Sequence, residues 1–303
     1  MKERYREVRR FSETLCAPLA TEDYVVQSMR NASPTRWHLA HTTWFFEKFI
    51  LEELVDGYSV DEDWNYIFNS YYNAAGDQYT RADRGLITRP TVSEIYDYRQ
   101  RVDSRMLEIL EAPDQLSNEM QFRVITGFHH EQQHQELILT DIKHMFAQNP
   151  LKPGPYEGAA ARLEGAAGES RPLEWRAFEK GIREVGYGGD GFSFDNERPR
   201  HEELVHAFEI ASRTVTCGEF IEFIEDDGYE RHEHWLSQGW ATVQEEDWDS
   251  PLYWEKRDGE WWQYTLGGMR RVDPDEPVCH VSYMEADAFA KWAGARLPTE
   301  FEW

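Results

Sequence analysis

Apolar residues in the first half of the chain recur every three or four positions, the spacing of one face of an α-helix. The pattern predicts helices over residues 3–15, 33–51, 91–110 and 120–146. Ser33 and Pro34 predict the start of the second helix, with serine as its cap and proline in its first turn. Four such helices predict a bundle over residues 1–150.

The helical periodicity ends near residue 173. Gly-rich turns such as residues 186–191 then separate short segments rich in Trp and Tyr, with short helices predicted at 217–224 and 283–293. Residues 151–172 are rich in Gly, Ala, Pro and Glu, a composition typical of a linker. We therefore expect an α+β multidomain protein, in which residues 173–303 form an irregular, loop-rich domain.

Composition narrows the class of protein. With 40% hydrophobic residues and 12 Trp, the chain can bury sizeable cores. Its net charge of −25 disfavours nucleic acid and membrane surfaces and favours cationic substrates, although solubility alone would also explain it. Three scattered cysteines argue against a disulfide framework and for a reducing compartment. Without an apolar signal segment or a run of ~20 apolar residues, we expect a cytoplasmic protein.

The predicted helix over residues 120–146 carries polar groups where a structural helix would carry Leu and Ile. His130 and His134 lie one turn apart on the same face, where they can share a metal. The alternative is a set of hydrogen-bonded core histidines. The two histidines belong to a stripe along one face of this helix, formed by residues three or four positions apart. Its members are Gly127, His130, His134, Leu137, Asp141 and His144.

The helix over residues 33–51 offers a third ligand. His41 shares its inward face with Trp37 and Trp44, whereas His38 lies about 60° around the helix and is predicted at the edge. Three imidazoles leave open positions on a metal, which is typical of a catalytic site. Ligand type alone does not separate zinc from iron.

The same histidines also satisfy the H-E-x-x-H pattern of zinc hydrolases, in which Glu131 would be the general base. A linker and a different fold follow the motif, and the best third ligand, His41, precedes it. Both facts count against a hydrolase. A non-enzymatic module with structural histidines is a further alternative.

A loop between the two candidate ligand helices carries Tyr71 and Tyr72, followed by Arg81, Arg84 and Arg89. Beside a metal, a tyrosine hydroxyl can deliver a proton or an electron, and an arginine can hold a carboxylate in a two-pronged pair. Packing aromatics and solvated charges would explain the same residues equally well.

Two segments of the first half, residues 33–47 (SPTRWHLAHTTWFFE) and 127–137 (GFHHEQQHQEL), resemble the DinB-like domain of ergothioneine-forming sulfoxide synthases (EgtB). Residues 195–201, 277–283 and 294–300 resemble a formylglycine-generating-enzyme-type domain. The resemblance implies a DinB-like four-helix bundle followed by a formylglycine-generating-enzyme-like, C-type-lectin-like domain.

The resemblance also implies an activity, in which a non-haem Fe(II) site uses O2 to join cysteine or γ-glutamylcysteine to the imidazole carbon of hercynine. Selenosugar-using and histidine-using relatives remain alternatives. The residue roles implied are iron ligation by His41, His130 and His134, catalysis by Tyr71 and Tyr72, and substrate binding by Gln133, Arg84 and Arg89.

Two departures from the family pattern matter. The chain stops at Trp303 inside a motif that the family continues, so we expect an incomplete second domain and an incomplete substrate site, and the sequence leaves open whether such a fragment is active. Cys217 stands where the family often has Asn, and we interpret it as a small core residue rather than a nucleophile.

Overall fold

The computed structural model describes residues 1–156 and 171–303. The chain divides into two compact units, Met1–Pro155 and Tyr156–Trp303. Most of the predicted linker, residues 157–170, lies outside the described residues, so the linker and its boundaries stay predictions.

The first unit is helical. Its helices of seven or more residues are α1 (Lys2–Cys16), α2 (Thr35–Phe46, extended by a π-helical turn at Glu47–Leu51), α3 (Glu62–Phe68), α4 (Val92–Ile109) and α5 (Asn118–Gln148). Helix α2 packs against α4 and α5, and α1 packs against α5. The four predicted helices are confirmed to within a few residues, while α3 was not predicted because seven residues carry too little periodicity.

The predicted cap of α2 is wrong. Pro34 is the N-cap residue, and no side chain caps the helix. Ser33 instead accepts a hydrogen bond from Arg84 Nη1 through its hydroxyl (2.9 Å) and donates its backbone N–H to Asp141 Oδ2 (2.8 Å). Hydrogen bonds to residues distant in the sequence therefore replace the helix-capping role that the position of Ser33 favoured.

The helices of this unit approach closely around Gly127 on α5. A Cβ atom at this position would lie 2.5 Å from Phe46 Cε1 of α2, so only glycine allows the observed packing. The contact falls one turn before His130, and it brings α5 against α2 where the histidines meet. The main apolar core comprises Tyr5, Val8, Phe46, Ile50, Leu51, Tyr98, Val102, Met106, Leu110, Val124 and Phe128.

The second unit has short strands and helices joined by loops, as expected for an α+β domain. The strands of residues 171–303 are β1 (Trp175–Phe178), β2 (Gly181–Val185), β3 (His201–Val205), β4 (Phe208–Ala211), β5 (Trp254–Arg257), β6 (Glu260–Thr265) and β7 (Gly268–Arg271). They form three antiparallel sheets, β1–β4, β2–β3 and β5–β6–β7.

Residues 171–303 also form three α-helices, α6 (Cys217–Glu225), α7 (Ser237–Glu246) and α8 (Tyr283–Trp292). The two predicted helices, α6 and α8, both begin with a capping box, in which Thr216 and Ser282 cap the helix start. An aromatic core lies between them. None of the helices within residues 1–156 and 171–303 has the length and apolar character needed to cross a membrane.

Candidate metal centre

The structure brings the three predicted histidine ligands together. His41 projects from α2, and His130 and His134 project from α5. One ring nitrogen of each residue lies within 4.8 Å of the others, and His41 Nε2 is 3.1 Å from His130 Nε2. His41 and His134 are buried, and His130 is partly buried. The cluster has the donor atoms and spacing of a three-histidine metal site.

Aromatic rings hold the histidine rings in place. Trp37 stacks on His41 at 4.6 Å between ring centroids, and Trp44 stacks on it at 5.6 Å. Phe45 lies 4.7 Å from the ring of His130. All three aromatic residues belong to α2, so this one helix packs against ligand rings on both α2 and α5.

Hydrogen bonds outside the cluster set which nitrogen of His41 faces it. His41 Nδ1 lies 2.5 Å from the carbonyl oxygen of Phe68. A carbonyl only accepts, so Nδ1 carries the proton and Nε2 presents its lone pair to His130. Metal-ligating histidines are commonly oriented by such a bond to a backbone carbonyl.

The prediction that His38 lies at the edge of its helix is wrong. Its side chain is buried, with Nδ1 2.8 Å from His134 Nδ1 and Nε2 2.9 Å from Asp141 Oδ2. Every residue of α2 is buried, so angular position around this helix does not predict exposure. The only sequence signal for the pair was that Asp141 belongs to the same polar stripe as His134.

The environment keeps the three histidines neutral. Burial lowers the pKa of His130 to about 4. Burial, reinforced by the neighbouring histidines, also lowers the pKa of His41 and His134 well below the usual value. Neutral imidazole is the form that binds a metal ion. The cluster is therefore in its ligand state at neutral pH.

Glu131 does not face this cluster. Its carboxylate is fully buried and accepts hydrogen bonds from Arg9 Nη1 (2.8 Å), Ser12 Oγ (2.7 Å) and Arg99 Nη2 (3.2 Å). Burial alone would raise the pKa of Glu131, but the two guanidinium groups lower it to about 2. Glu131 thus ties α5 to α1 and α4, and its oxygens are occupied.

The side chains of the two tyrosines predicted to be catalytic lie in different surroundings. Tyr72 lies against Phe49 (4.9 Å between centroids) and 6.3 Å from the ring of His130. Burial raises the pKa of Tyr72 to about 12. Tyr71 is 77% exposed, and its hydroxyl accepts a hydrogen bond from Arg81 Nη1 (3.2 Å). The structure therefore brings Tyr72, and not Tyr71, to the histidines.

The two arginines predicted to bind substrate also differ in their surroundings, because Arg84 is buried and Arg89 is exposed. Arg84 is buried, donates to Ser33 Oγ and Ser70 Oγ (both 2.9 Å) and lies over the ring of Trp37. Burial, reinforced by Arg81, lowers the pKa of Arg84 to about 9. Within residues 1–156 and 171–303 its Nε has no hydrogen-bond partner, and no carboxylate forms a salt bridge with it.

Arg89 is exposed and donates to the carbonyl of its neighbour Thr88, away from the cluster. Gln133 is exposed on α5 and lies in sequence between His130 and His134. In the second unit, Cys217 is buried, and burial raises the pKa of its thiol to about 12. A thiol in that state is a poor nucleophile, in keeping with its interpretation as a core residue.

Two family models match the chain in the expected order. The DinB superfamily matches residues 4–138, and the sulfatase-modifying factor enzyme 1-like domain matches residues 177–303. The first match covers all three histidines.

Curated relatives include hercynine oxygenases and formylglycine-generating enzymes. The chain is 36% identical over 207 residues to the hercynine oxygenase of Mycolicibacterium thermoresistibile, covering 67% of this chain and 43% of that protein. It is 34% identical over 226 residues to the hercynine oxygenase of Mycolicibacterium smegmatis, covering 75% and 50%. It is also 32% identical over 126 residues to a formylglycine-generating enzyme of Streptomyces coelicolor, covering 38% and 40%.

The chain thus spans about half the length of the hercynine oxygenases it matches. Its order of domains, a DinB-superfamily bundle before a sulfatase-modifying-factor-type domain, is the order that the sequence motifs predicted. These domains and the similarity to hercynine oxygenases show that the chain is an EgtB-type protein.

Proposed function

We propose that this chain carries the iron site of a hercynine oxygenase, an enzyme of ergothioneine biosynthesis. The reaction uses O2 to join the sulfur of cysteine or γ-glutamylcysteine to the imidazole carbon of hercynine. The observation that carries the proposal is the convergence of His41, His130 and His134, three neutral imidazoles, in the domain shared with relatives named hercynine oxygenase.

The donor set fits Fe(II). Imidazole nitrogen is a good ligand for iron, and the cluster of His41, His130 and His134 contains no carboxylate. With neutral ligands only, the dication would keep its full charge, which favours a thiolate beside it. Bound Fe(II) would supply the O2 chemistry. The side chains around it would bind and orient the two substrates.

Arg84 is the proposed anchor for the carboxylate of the thiol substrate. Its guanidinium is buried, hydroxyl groups of Ser33 and Ser70 fix its position, and no carboxylate of the described residues forms a salt bridge with it. Its positive charge also contributes to lowering the pKa of His41 and His134, so it acts at the cluster. A buried guanidinium without a salt-bridge partner favours a bound anion, which it can hold in a two-pronged pair.

Tyr72 is the proposed proton donor. Because its pKa is raised to about 12, its hydroxyl keeps its proton at neutral pH. Its ring is near that of His130, whereas the exposed Tyr71 points to Arg81. The O–H of Tyr72 can therefore donate to an oxygen that gains negative charge during the reaction.

Gln133 is the proposed contact for the imidazole of hercynine. Its amide has both donors and an acceptor, which match the N–H and the lone pair of a neutral imidazole. It is exposed on α5 between His130 and His134, so its amide is free to meet a substrate that approaches these ligands.

The geometry does not support the zinc-hydrolase alternative. A general base needs a free carboxylate within reach of a metal-bound water. The oxygens of Glu131 are instead bound by Arg9, Arg99 and Ser12, inside the bundle.

Metal analysis after anaerobic loading with Fe(II) tests the site. We expect iron equimolar with the chain, and loss of that iron in His134→Ala. The matched control is His129→Ala, since His129 is on the same helix and contacts Arg4 rather than the cluster. Retention of iron by His134→Ala would contradict the proposed ligands.

The activity is tested with the protein in the full length that its gene encodes. Hercynine and O2 are supplied with cysteine or with γ-glutamylcysteine, and products are identified by mass spectrometry. We expect a sulfoxide from one of the two thiols. No sulfoxide from either thiol would refute the function, and parallel reactions with histidine or a selenosugar would reveal the related synthases.

A further inference from the structure

His38 and Asp141 form a hydrogen-bonded chain that ends on a ligand of the metal cluster. Asp141 Oδ2 lies 2.9 Å from His38 Nε2, and His38 Nδ1 lies 2.8 Å from His134 Nδ1. The exposed fractions are 1% for His38 and 8% for both His134 and Asp141, so water does not compete for these bonds. Ser33 N–H also donates to Asp141 Oδ2 and holds the carboxylate in place.

The two ends of this chain fix the order of donors and acceptors. At one end, a carboxylate only accepts, so His38 Nε2 carries a proton. At the other end, His134 Nδ1 is engaged by His38 Nδ1, which leaves Nε2 of His134 for the histidine cluster. A metal-binding nitrogen carries no proton, so the proton of a neutral His134 lies on Nδ1 and His38 Nδ1 accepts this hydrogen bond.

We propose that His38 and Asp141 are positioning residues, which fix the tautomer and ring orientation of His134 so that Nε2 is its metal-binding nitrogen. This inference rests on the proposed three-histidine metal site, whatever the metal, and the tautomer is measured without metal. In His41 the carbonyl of Phe68 holds the proton on Nδ1. Among the described residues, the partner of His134 Nδ1 is the buried imidazole of His38 rather than a carbonyl.

The tautomer is measured directly in the metal-free protein. Long-range proton–nitrogen NMR correlations of the histidine rings distinguish a proton on Nδ1 from one on Nε2. We expect His134 to carry its proton on Nδ1 in the wild type and on Nε2, the usual preference in water, in His38→Phe. A proton on Nε2 of His134 in the wild type would overturn the proposal without any variant.

Metal affinity gives the second readout. Co(II) binding is followed by its absorption, in competition with a chelator. We expect His38→Phe to bind Co(II) about 10–100-fold more weakly than the wild type, the usual effect of losing a residue that orients a ligand. Asp141→Asn should lose less of its Co(II) affinity than His38→Phe, because the amide oxygen of Asn can accept hydrogen bonds from both Ser33 and His38.

The matched control is His144→Phe, which changes another histidine of α5 whose Nδ1 contacts Ser28. Its Co(II) affinity should equal that of the wild type. Equal affinity of His38→Phe and wild type would overturn the positioning role, and so would an equal loss in His144→Phe. If the wild type bound no metal, the proposed function would fail, whereas the tautomer measurement would still decide this inference.

Discussion

Replacing Glu131 with Gln should destabilise the helical unit by about 3–5 kcal/mol, because it leaves two buried guanidinium groups without their shared counter-charge. Arg9 and Arg99 reach the carboxylate from α1 and α4, and both are buried. Glutamine keeps one acceptor oxygen but turns an N–H2 group toward positive charge. We expect no change in metal stoichiometry of the folded protein, since Glu131 does not face the histidines.

The pKa of Glu131 gives a second measure of the same interaction. Its lowering from 4.5 to about 2 corresponds to about 3 kcal/mol at neutral pH. Because the pKa is lower in the folded state, this stabilisation is complete above pH 4.5 and is lost as the pH falls toward 2. The difference in stability between wild type and Glu131→Gln should therefore narrow below pH 4.5.

The assay is urea unfolding followed by far-ultraviolet circular dichroism, which reports mainly on the long helices of the first unit. Glu136→Gln is the matched control, because Glu136 is exposed on the same helix. The control should change stability by no more than about 0.5 kcal/mol. A Glu131→Gln protein within about 1 kcal/mol of wild type would refute the reasoning, and would reopen a role for Glu131 at the metal.

Three further predictions concern the packing and the substrates. Gly127→Ala should separate α5 from α2, because the added methyl overlaps Phe46, and lower both thermal stability and Co(II) affinity. Tyr72→Phe should lower kcat by about 10–100-fold with iron content unchanged, whereas Tyr71→Phe should behave as wild type in the same steady-state assay. Arg84→Lys should raise KM for the thiol by about tenfold or more and leave KM for hercynine unchanged, since a two-pronged pair is lost; equal effects on both KM values would contradict this.

The four long helices and the three-histidine cluster could be predicted because each rests on local spacing. His130 and His134 share a face whatever the rest of the fold does, and His41 shares an inward face with two tryptophans. The second unit was predicted only as a class. Its strands are four to six residues long, too short for a clear alternation of polar and apolar positions.

The residues that local spacing did not place correctly, or did not place at all, are those whose partners lie far away in sequence. Glu131 is bound by Arg9, 122 positions upstream, and the H-E-x-x-H pattern gives no sign of this. Ser33 donates its backbone N–H to Asp141, 108 positions downstream, and its side chain does not cap α2. His38 was placed at the edge because a helix was assumed to have an exposed side, whereas α2 is buried on all sides.

Salt bridges that hold Glu131 also hold the two histidines beside it along α5. His130 and His134 lie on either side of Glu131 along α5, so the ion pairs of Glu131 with Arg9 and Arg99 also fix the turn of helix that carries these histidines. We therefore expect the bundle itself to hold the ligands of the proposed metal site in place, unlike those of small zinc domains, in which metal binding is the folding event. Chelation should accordingly empty the site while the bundle stays folded, and the protein should exchange its metal reversibly.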